Sequence, residues 1–345
     1  MTSPRSGAGA RAAFLGVLGV FCVACPAVDG ARTVAPSDAS TVTAKPDSVG
    51  SAAMPAKVAP TPHTASAPSA PSPPPSVPST RASGVVDVGP HPWSFAASAE
   101  RLDARFAPPA GFTRVAVSDG SFGAFARSLP MAAEGARVVD YRGTPLYDDG
   151  RHEGIAGVVD IDVGTKDLQQ CADAVLRLDA EWRYGRGVRD VHYKTASGLT
   201  LRYTKYLEGE RPVANGALLS LKDVAPKKAD DHAAFRAFLD GVFAWANTAS
   251  VEREGTKVPW LELRPGDFFV MPGSPFGHAV MVLDLARRAD GTPALLLGQS
   301  YMPAQSVHVL RSSKETPWFV VERGATEVKT PFWAPFPLET LRRLP

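Results

Sequence analysis

Cysteine is scarce in this sequence, which contains only Cys22, Cys25 and Cys171 among its 345 residues. So few thiols cannot form the dense disulfide framework on which many small secreted domains depend. The hydrophobic content of 44% instead allows a buried core for one large domain or two modest domains.

An excess of either charge is also missing, because 37 basic residues face 35 acidic ones. The sequence has no basic run with interleaved aromatic residues, and we therefore expect no nucleic-acid partner. A glycine-rich phosphate loop is absent as well. We expect no metal and no cofactor, since the residues with zinc-binding side chains lack the short spacing of ligand pairs. These residues are Cys171, His152, His192, His278 and His308.

Aromatic residues are absent from the segment 26–92, which consists mainly of Ala, Ser, Pro, Thr and Val. Such a segment buries too little apolar surface to offset the entropy lost on ordering. We predict a disordered tether with a polyproline-II bias, and we expect His91 near its end to be solvated.

Long apolar runs are missing too. The apolar stretch 12–24 is too short to span a bilayer comfortably, and it follows the basic residues Arg5 and Arg11. The run Cys22-Val23-Ala24-Cys25 resembles a bacterial lipobox, although Cys22 stands where leucine is usual. We predict that residues 1–25 are a signal peptide and that Cys25 is lipidated. This predicts a lipoprotein of the bacterial cell envelope, anchored to a membrane on the periplasmic or outer side. The alternative is a plain secretory signal cleaved nearby.

Aromatic residues return at Trp93, and we predict a single globular α+β domain over 93–345. Within it, a period of two predicts strands and steps of three and four predict helices. The predicted helices are 93–106, 122–129, 165–184 and 231–247. The predicted strands are 136–142, 155–163, 188–193, 199–206, 268–271, 278–284 and 294–299.

The helix predicted at 165–184 carries Cys171 in its first turns. Asp167 is suited to cap its N-terminus, with Gln170 three residues later as the capping-box partner, and Gly185 is suited to a left-handed stop. A thiol near the positive end of a helix ionises more readily, and the thiolate is the nucleophilic form. The alternative is a buried structural cysteine.

Two later strands supply polar side chains that suit this thiol. His278 begins one strand, and an antiparallel return after Asp290-Gly291 places Gln299 opposite or diagonal to it. A cysteine nucleophile requires a base, and that base requires a polar group that fixes its ring. Cys171, His278 and Gln299 are therefore the candidate catalytic residues.

This order resembles the papain-like cysteine hydrolases, and within them the NlpC-type and CHAP-type amidases of bacterial envelopes. The turn Pro265-Gly266-Asp267 and the run Gly277-His278-Ala279-Val280 match their pattern of a turn, a strand and a histidine-led strand. The segment from Cys171 to His278 is longer than usual, and Gln299 stands farther downstream than the commoner His, Asn or carboxylate.

The resemblance implies a mostly antiparallel sheet packed on the cysteine helix, papain-like in outline. It also implies that Cys171 is the nucleophile and His278 the general base and acid. The oxyanion would be held by the Cys171 backbone N–H, and Gln170 and Ser300 are candidates for oxyanion or substrate contacts.

Three runs resemble more closely the bacterial family called domain of unknown function 4846. They are DLQQCADAVLRLDAEW (167–182), GHAVMVLD (277–284) and GQSYMPAQSVHVL (298–310). This resemblance covers most of 93–345 and implies a bacterial envelope protein without implying a reaction. The function we expect is a thiol hydrolase of amide bonds, acting on peptidoglycan peptides. The alternative is a non-catalytic domain that keeps the fold and binds a cell-wall or protein partner.

Overall fold

The computed structural model describes residues 91–216, 218–273 and 276–345. The predicted signal peptide, Cys25 and nearly all of the predicted tether lie outside these residues. His91 lies within them: its Nε2 is 2.9 Å from the carbonyl oxygen of Ser128, and its ring packs on Trp93 with 4.6 Å between centroids. The prediction of a solvated His91 is therefore wrong, because the ring finds an aromatic neighbour and a hydrogen-bond partner on the domain.

A nine-stranded antiparallel sheet is the largest element of the described chain. Its strands are β2 (Phe112–Arg114), β4 (Ile155–Val158), β9 (Thr256–Lys257), β10 (Phe268–Met271), β11 (His278–Arg288), β12 (Pro293–Gln299), β13 (His308–Leu310), β14 (Trp318–Val320) and β17 (Leu341–Arg343). Seven of them follow one another in the order β4-β13-β12-β11-β10-β17-β9, while β14 pairs with β12 and β2 pairs with β11. The long central strands β11 and β12 are joined by the turn at 289–292, as predicted.

Shorter elements surround this sheet. The helices are α1 (Leu102–Arg105), α2 (Phe122–Arg127), α3 (Cys171–Gly185), α4 (Tyr203–Glu208), α5 (His232–Trp245) and α6 (Thr248–Glu254). Four two-stranded pairs are β1 (Glu100–Arg101) with β3 (Pro130–Met131), β5 (His192–Lys194) with β6 (Thr200–Arg202), β7 (Glu210–Asn215) with β8 (Leu218–Asp223), and β15 (Glu327–Val328) with β16 (Phe336–Pro337). No helix in the described ranges is long and apolar enough to cross a membrane.

The two faces of the sheet carry different layers. On β11, Ala279 and Met281 belong to the core that includes α2, α3 and α5, while Val280 belongs to a second core that includes Phe336 of the C-terminal segment. This alternation follows from the period of two in a strand. We call these the helix face and the tail face of the sheet.

Helix α3 is central rather than amphipathic, because every residue from Cys171 to Glu181 is buried. The fully buried Arg177 donates to Glu181 at 2.8 Å through Nε, to Gln169 at 2.8 Å through Nη1 and to Asp162 at 2.6 Å through Nη2. We call Asp162, Gln169, Arg177 and Glu181 the arginine network. It allows a helix with charged residues to lie in the interior, because the buried charges are paired and hydrogen-bonded.

The mixture of helices with an antiparallel sheet agrees with the predicted α+β class. The predicted strand 268–271 and helix 231–247 are confirmed as β10 and α5, and the carboxylate of Asp231 caps α5 by accepting from the Ala234 N–H at 2.7 Å. The predicted helix 93–106 and strand 136–142 are wrong. Only Leu102–Arg105 is helical in the first segment, and the second makes only isolated bridges.

Candidate functional site

Cys171 is the first residue of α3, and its side chain lies against the loop that precedes β11. Its Sγ is 3.8 Å from the carbonyl oxygen of Gly277, and only 5% of the residue is exposed. A Cβ at Gly277 would lie 2.4 Å from the Met271 carbonyl oxygen and 2.4 Å from Thr248 Oγ1. Only glycine fits at this close approach, which holds the end of the loop beside the thiol.

The start of α3 differs from the prediction. The helix begins at Cys171 rather than near residue 165, and Gln170 is its N-cap residue, with its backbone N–H donating to Asp173 at 3.0 Å. Asp167 does not cap the helix, because its carboxylate accepts from the Ala304 N–H at 2.7 Å and from the Gln170 side chain at 3.1 Å. Gly185 is the last helical residue, and Gly187 takes the left-handed conformation instead, with φ of 79°. Cys171 is thereby closer to the positive end of the helix than the sequence pattern indicated.

A hydrogen-bonded row of side chains crosses β11, β12 and β13. His278 Nε2 lies 2.8 Å from Gln299 Oε1, and Gln299 Nε2 lies 3.2 Å from His308 Nε2. Gln299 and His308 are direct cross-strand partners, which explains their contact. All three residues are at most 1% exposed. We call His278, Gln299 and His308 the histidine row.

Aromatic side chains cover the histidine row. The His278 ring centroid is 5.0 Å from that of Tyr301, 5.0 Å from Trp333 and 6.0 Å from Phe336, and His308 is 5.9 Å from Phe332. Burial lowers the pKa of His278 to about 4, although its hydrogen bond with Gln299 acts in the opposite direction. Burial likewise lowers the pKa of His308 to about 4. Both imidazoles are therefore neutral at physiological pH.

The thiol and the imidazole approach the same strand end from different layers. Strand alternation groups His278 with Val280 on the tail face, whereas α3 packs on the helix face. Among the described residues, the buried Nδ1 of His278 has no hydrogen-bond partner, so no thiol–imidazole hydrogen bond is formed in this structure. The ring of Tyr301 contacts His278, and its pKa is raised first by burial and then by an electrostatic interaction with Cys171.

The candidates for oxyanion or substrate contacts are not directed to the thiol. Ser300 is fully buried, with Oγ 2.9 Å from the Gln169 carbonyl oxygen and 2.8 Å from the Gln305 carbonyl oxygen, so its hydroxyl hydrogen is used within the fold. The amide nitrogen of Gln170 donates to Asp167. Both side chains thus make hydrogen bonds within the fold, Gln170 at the start of α3, and their contacts with an oxyanion or substrate stay predictions.

His308, Tyr301 and Trp333 extend the site beyond the residues that the sequence singled out as catalytic. Tyr301 and His308 lie in the run 298–310. The sequence signal for His308 was a side chain able to form hydrogen bonds at the start of the short, otherwise apolar strand β13. Trp333 lies in the C-terminal segment, far in sequence from His278, and no local pattern indicated it. In the part of the chain that the structure describes, no group of three or more His, Cys, Asp or Glu side chains could hold a metal ion.

Comparison with known families places the chain in a wider context. A family model described as domain of unknown function (4846) matches residues 102–343. The chain belongs to this family. No curated protein and no solved structure matches it. The range that the family model matches includes α3, the histidine row and the aromatic residues that cover it.

Proposed function

We propose that this domain is a thiol hydrolase of amide bonds, with Cys171 as the nucleophile, His278 as the general base and acid, and Gln299 as the residue that orients the imidazole. One observation carries the proposal. One ring nitrogen of His278 is bonded to Gln299, and the other is buried and has no hydrogen-bond partner among the described residues. His278 begins β11, and the thiol lies against the carbonyl oxygen of the residue before it, Gly277. A base oriented by one polar group and open at its other nitrogen is the arrangement that thiol activation requires.

The proposed reaction has two stages, and it requires the Cys171 thiol and His278 Nδ1, which are not hydrogen-bonded to each other in this structure, to come within hydrogen-bond reach when substrate binds. The Cys171 thiol transfers its proton to His278 Nδ1 as sulfur attacks the carbonyl carbon of the amide, and His278 then gives this proton to the leaving amine nitrogen as the C–N bond breaks. In the second stage, water attacks the thioester carbon, His278 accepts the proton of the water, and the thiolate that leaves is reprotonated. The products are an amine and a carboxylic acid.

The charges at the site suit a neutral base rather than a resting ion pair. Since burial lowers the pKa of His278 to about 4, the imidazole is unprotonated near pH 7 and has a lone pair for the thiol proton, although it is a weaker base than one whose pKa lies near 7. Backbone N–H groups in the first turn of a helix are not used by the helix itself, and the N–H of Cys171 is the proposed donor to the oxyanion.

The proposed substrates are peptide amides of peptidoglycan, and the proposed setting is the bacterial cell envelope, with an anchor at Cys25. An antiparallel sheet beside a helix that begins with cysteine supports the likeness to papain-like envelope amidases. The papain-like outline is part of this proposal.

The test uses the full chain incubated with purified peptidoglycan peptides, with mass spectrometry to detect new amine and carboxyl ends. We expect cleavage by the wild type and loss of cleavage in Cys171→Ser and His278→Ala. His192→Ala is the matched control, because His192 lies on the β5–β6 hairpin and bonds the Asp190 carbonyl oxygen. Undiminished cleavage by Cys171→Ser would exclude the proposed nucleophile.

A non-catalytic domain that binds a cell-wall or protein partner is the second candidate, and the 5% exposure of Cys171 favours it. Cosedimentation of the full chain with intact peptidoglycan distinguishes the two. Binding by both wild type and Cys171→Ser, with no new ends in either, supports the binding domain. Turnover that depends on Cys171 supports the hydrolase.

A further inference from the structure

We propose that His308 is a positioning residue: it holds the Gln299 amide in one orientation and thereby determines which ring nitrogen of His278 carries the proton. This inference rests on the proposed function for its catalytic meaning, but its structural content is tested without any substrate. It follows from the hydrogen bonds of four groups taken in order: the Ser306 carbonyl, His308, Gln299 and His278.

The order begins at Ser306. Its backbone carbonyl oxygen lies 2.9 Å from His308 Nδ1, and a carbonyl oxygen only accepts hydrogen bonds. His308 Nδ1 therefore carries a hydrogen. Because the buried His308 is neutral, its Nε2 has a lone pair and is an acceptor.

The second step concerns the amide. Gln299 faces the His308 Nε2 acceptor at 3.2 Å, and only the NH2 end of an amide donates. The NH2 end is therefore directed toward His308, and the oxygen end is directed toward His278. Without His308 the two ends of this amide are nearly equivalent in shape, and either one fits beside His278.

The third step assigns His278. Gln299 Oε1 lies 2.8 Å from His278 Nε2 and only accepts, so Nε2 carries the hydrogen. Neutral His278 then has its lone pair on Nδ1, the buried nitrogen without a hydrogen-bond partner among the described residues. If the amide rotated, Nε2 would become the acceptor and Nδ1 would carry the hydrogen.

The tautomer matters because only a lone pair on Nδ1 accepts a proton there. In a serine-protease triad, a substitution that yields the wrong histidine tautomer lowers kcat about 10⁴-fold. His308 is not expected to touch the substrate, since it bonds the end of the Gln299 amide that is directed away from His278. Its contribution is made through the amide.

The first experiment is a long-range ¹H–¹⁵N NMR spectrum of the histidine rings in the full chain near pH 7, which shows which nitrogen of each ring is protonated. We expect His308 as the Nδ1–H form and His278 as the Nε2–H form. His278 in the Nδ1–H form, or His308 in the Nε2–H form, would overturn the inference whether or not the protein is a hydrolase.

The second experiment compares two substitutions at the same position. His308→Phe fills similar space but cannot accept a hydrogen bond, and we expect His278 to shift to the Nδ1–H form or to a mixture. His308→Gln restores an acceptor oxygen near the former Nε2, and we expect it to restore the Nε2–H form. If His278 keeps one tautomer in all three proteins, His308 does not position it. Thermal unfolding of each variant, with His192→Phe as control, shows that the compared proteins are folded.

If the domain hydrolyses peptidoglycan peptides, the same variants connect the tautomer to catalysis. We expect at least about a tenfold loss of kcat in His308→Phe, below the about 10⁴-fold limit of the triad example, and recovery in His308→Gln. A tautomer shift without cleavage by the wild type leaves the positioning role intact and counts against the hydrolase alone. Unchanged kcat despite a tautomer shift contradicts the catalytic meaning of the inference.

Discussion

Two polar clusters with buried members lie near α3, and they differ in charge and in completeness. In the arginine network, the fully buried Arg177 and Glu181 form an ion pair, and each guanidinium nitrogen donates to an oxygen, one of them on the exposed Asp162. In the histidine row, the groups are neutral, and the sequence of hydrogen bonds ends at His278 Nδ1 without a further partner among the described residues.

The difference separates a structural role from a candidate chemical one. A fully satisfied buried network offsets its own desolvation and holds the fold in one arrangement. A buried polar atom without a partner costs free energy, and native proteins contain few of them. The open nitrogen at the end of the histidine row is thus one of the few buried polar atoms of the described residues that need an explanation, and the proposed explanation is proton transfer from the thiol beside Gly277.

The largest effect is expected from breaking the arginine network. Among the described residues, Arg177→Met leaves the buried carboxylate of Glu181 with His232 as its one side-chain hydrogen-bond partner, at 2.9 Å. Loss of one partner of a buried ion pair typically destabilises a protein by about 3–5 kcal/mol. Urea unfolding followed by circular dichroism measures this change.

A surface pair provides the matched control for that substitution. Arg151 and Asp149 form an exposed ion pair at 3.2 Å, and Arg151→Met should cost less than about 1 kcal/mol. Equal losses of unfolding free energy in the two variants would show that the arginine network stabilises the fold no more than an exposed ion pair does.

An intermediate change in stability is expected when the pH falls, and its source is protonation of the two histidines of the histidine row. His278 and His308 have folded-state pKa values of about 4, below the ordinary 6.5, so the unfolded chain binds protons first as the pH falls. Stability from these groups is present above pH 6.5 and is lost between pH 6.5 and 4, by up to about 1.4 kcal/mol per pH unit for each group.

The pH effect is best measured as a difference between proteins. Burial raises the pKa of Asp179 and Asp267, which contributes the opposite sign, but these carboxyl groups are common to wild type and variant. Free energies of unfolding for wild type and His308→Gln should therefore converge as the pH falls from 6.5 to 4. Parallel curves would contradict the assignment of a neutral, buried His308.

The smallest effect is expected in the reactivity of the thiol. Near pH 6, Cys171 in the native protein should react with iodoacetamide faster than a free-thiol peptide does, because a helix N-terminus favours the thiolate and the neutral imidazole of His278 is the proposed acceptor of the thiol proton. His278→Ala should lower the rate by about tenfold, less than a positioned base contributes to a full reaction, and Gln299→Ala should lower it less. Peptide mapping by mass spectrometry separates Cys171 from Cys22 and Cys25.

The outcome of this labelling bears directly on the comparison of the two clusters. A thiol that stays inert until the protein unfolds is a core residue, and the histidine row would then be a structural network like that of Arg177. Labelling that is fast and depends on His278 distinguishes the two clusters by chemistry.

Local patterns were sufficient for several elements. The turn at 263–267 that leads into the apolar run 268–271 predicted β10, and the apolar stripe after Asp230 or Asp231 predicted α5, since both depend on neighbours close in sequence. The antiparallel return after Asp290-Gly291 also predicted that Gln299 would meet His278, and their side chains lie 2.8 Å apart. Where partners are distant, the patterns failed: Asp167 was expected to cap a helix, but Ala304 and Gln170 use its carboxylate.

The sequence by itself determined the membership in domain of unknown function 4846, the central strands and the meeting of His278 with Gln299 on neighbouring strands. Only the tertiary structure decided that α3 is buried on all sides from Cys171 to Glu181, that the Ser300 hydroxyl bonds within the fold and that His308 completes a row with Gln299. The physical reason is that hydrophobic period and turn chemistry act over a few residues. Burial and hydrogen-bond partners of a polar side chain depend instead on which distant segments pack around it.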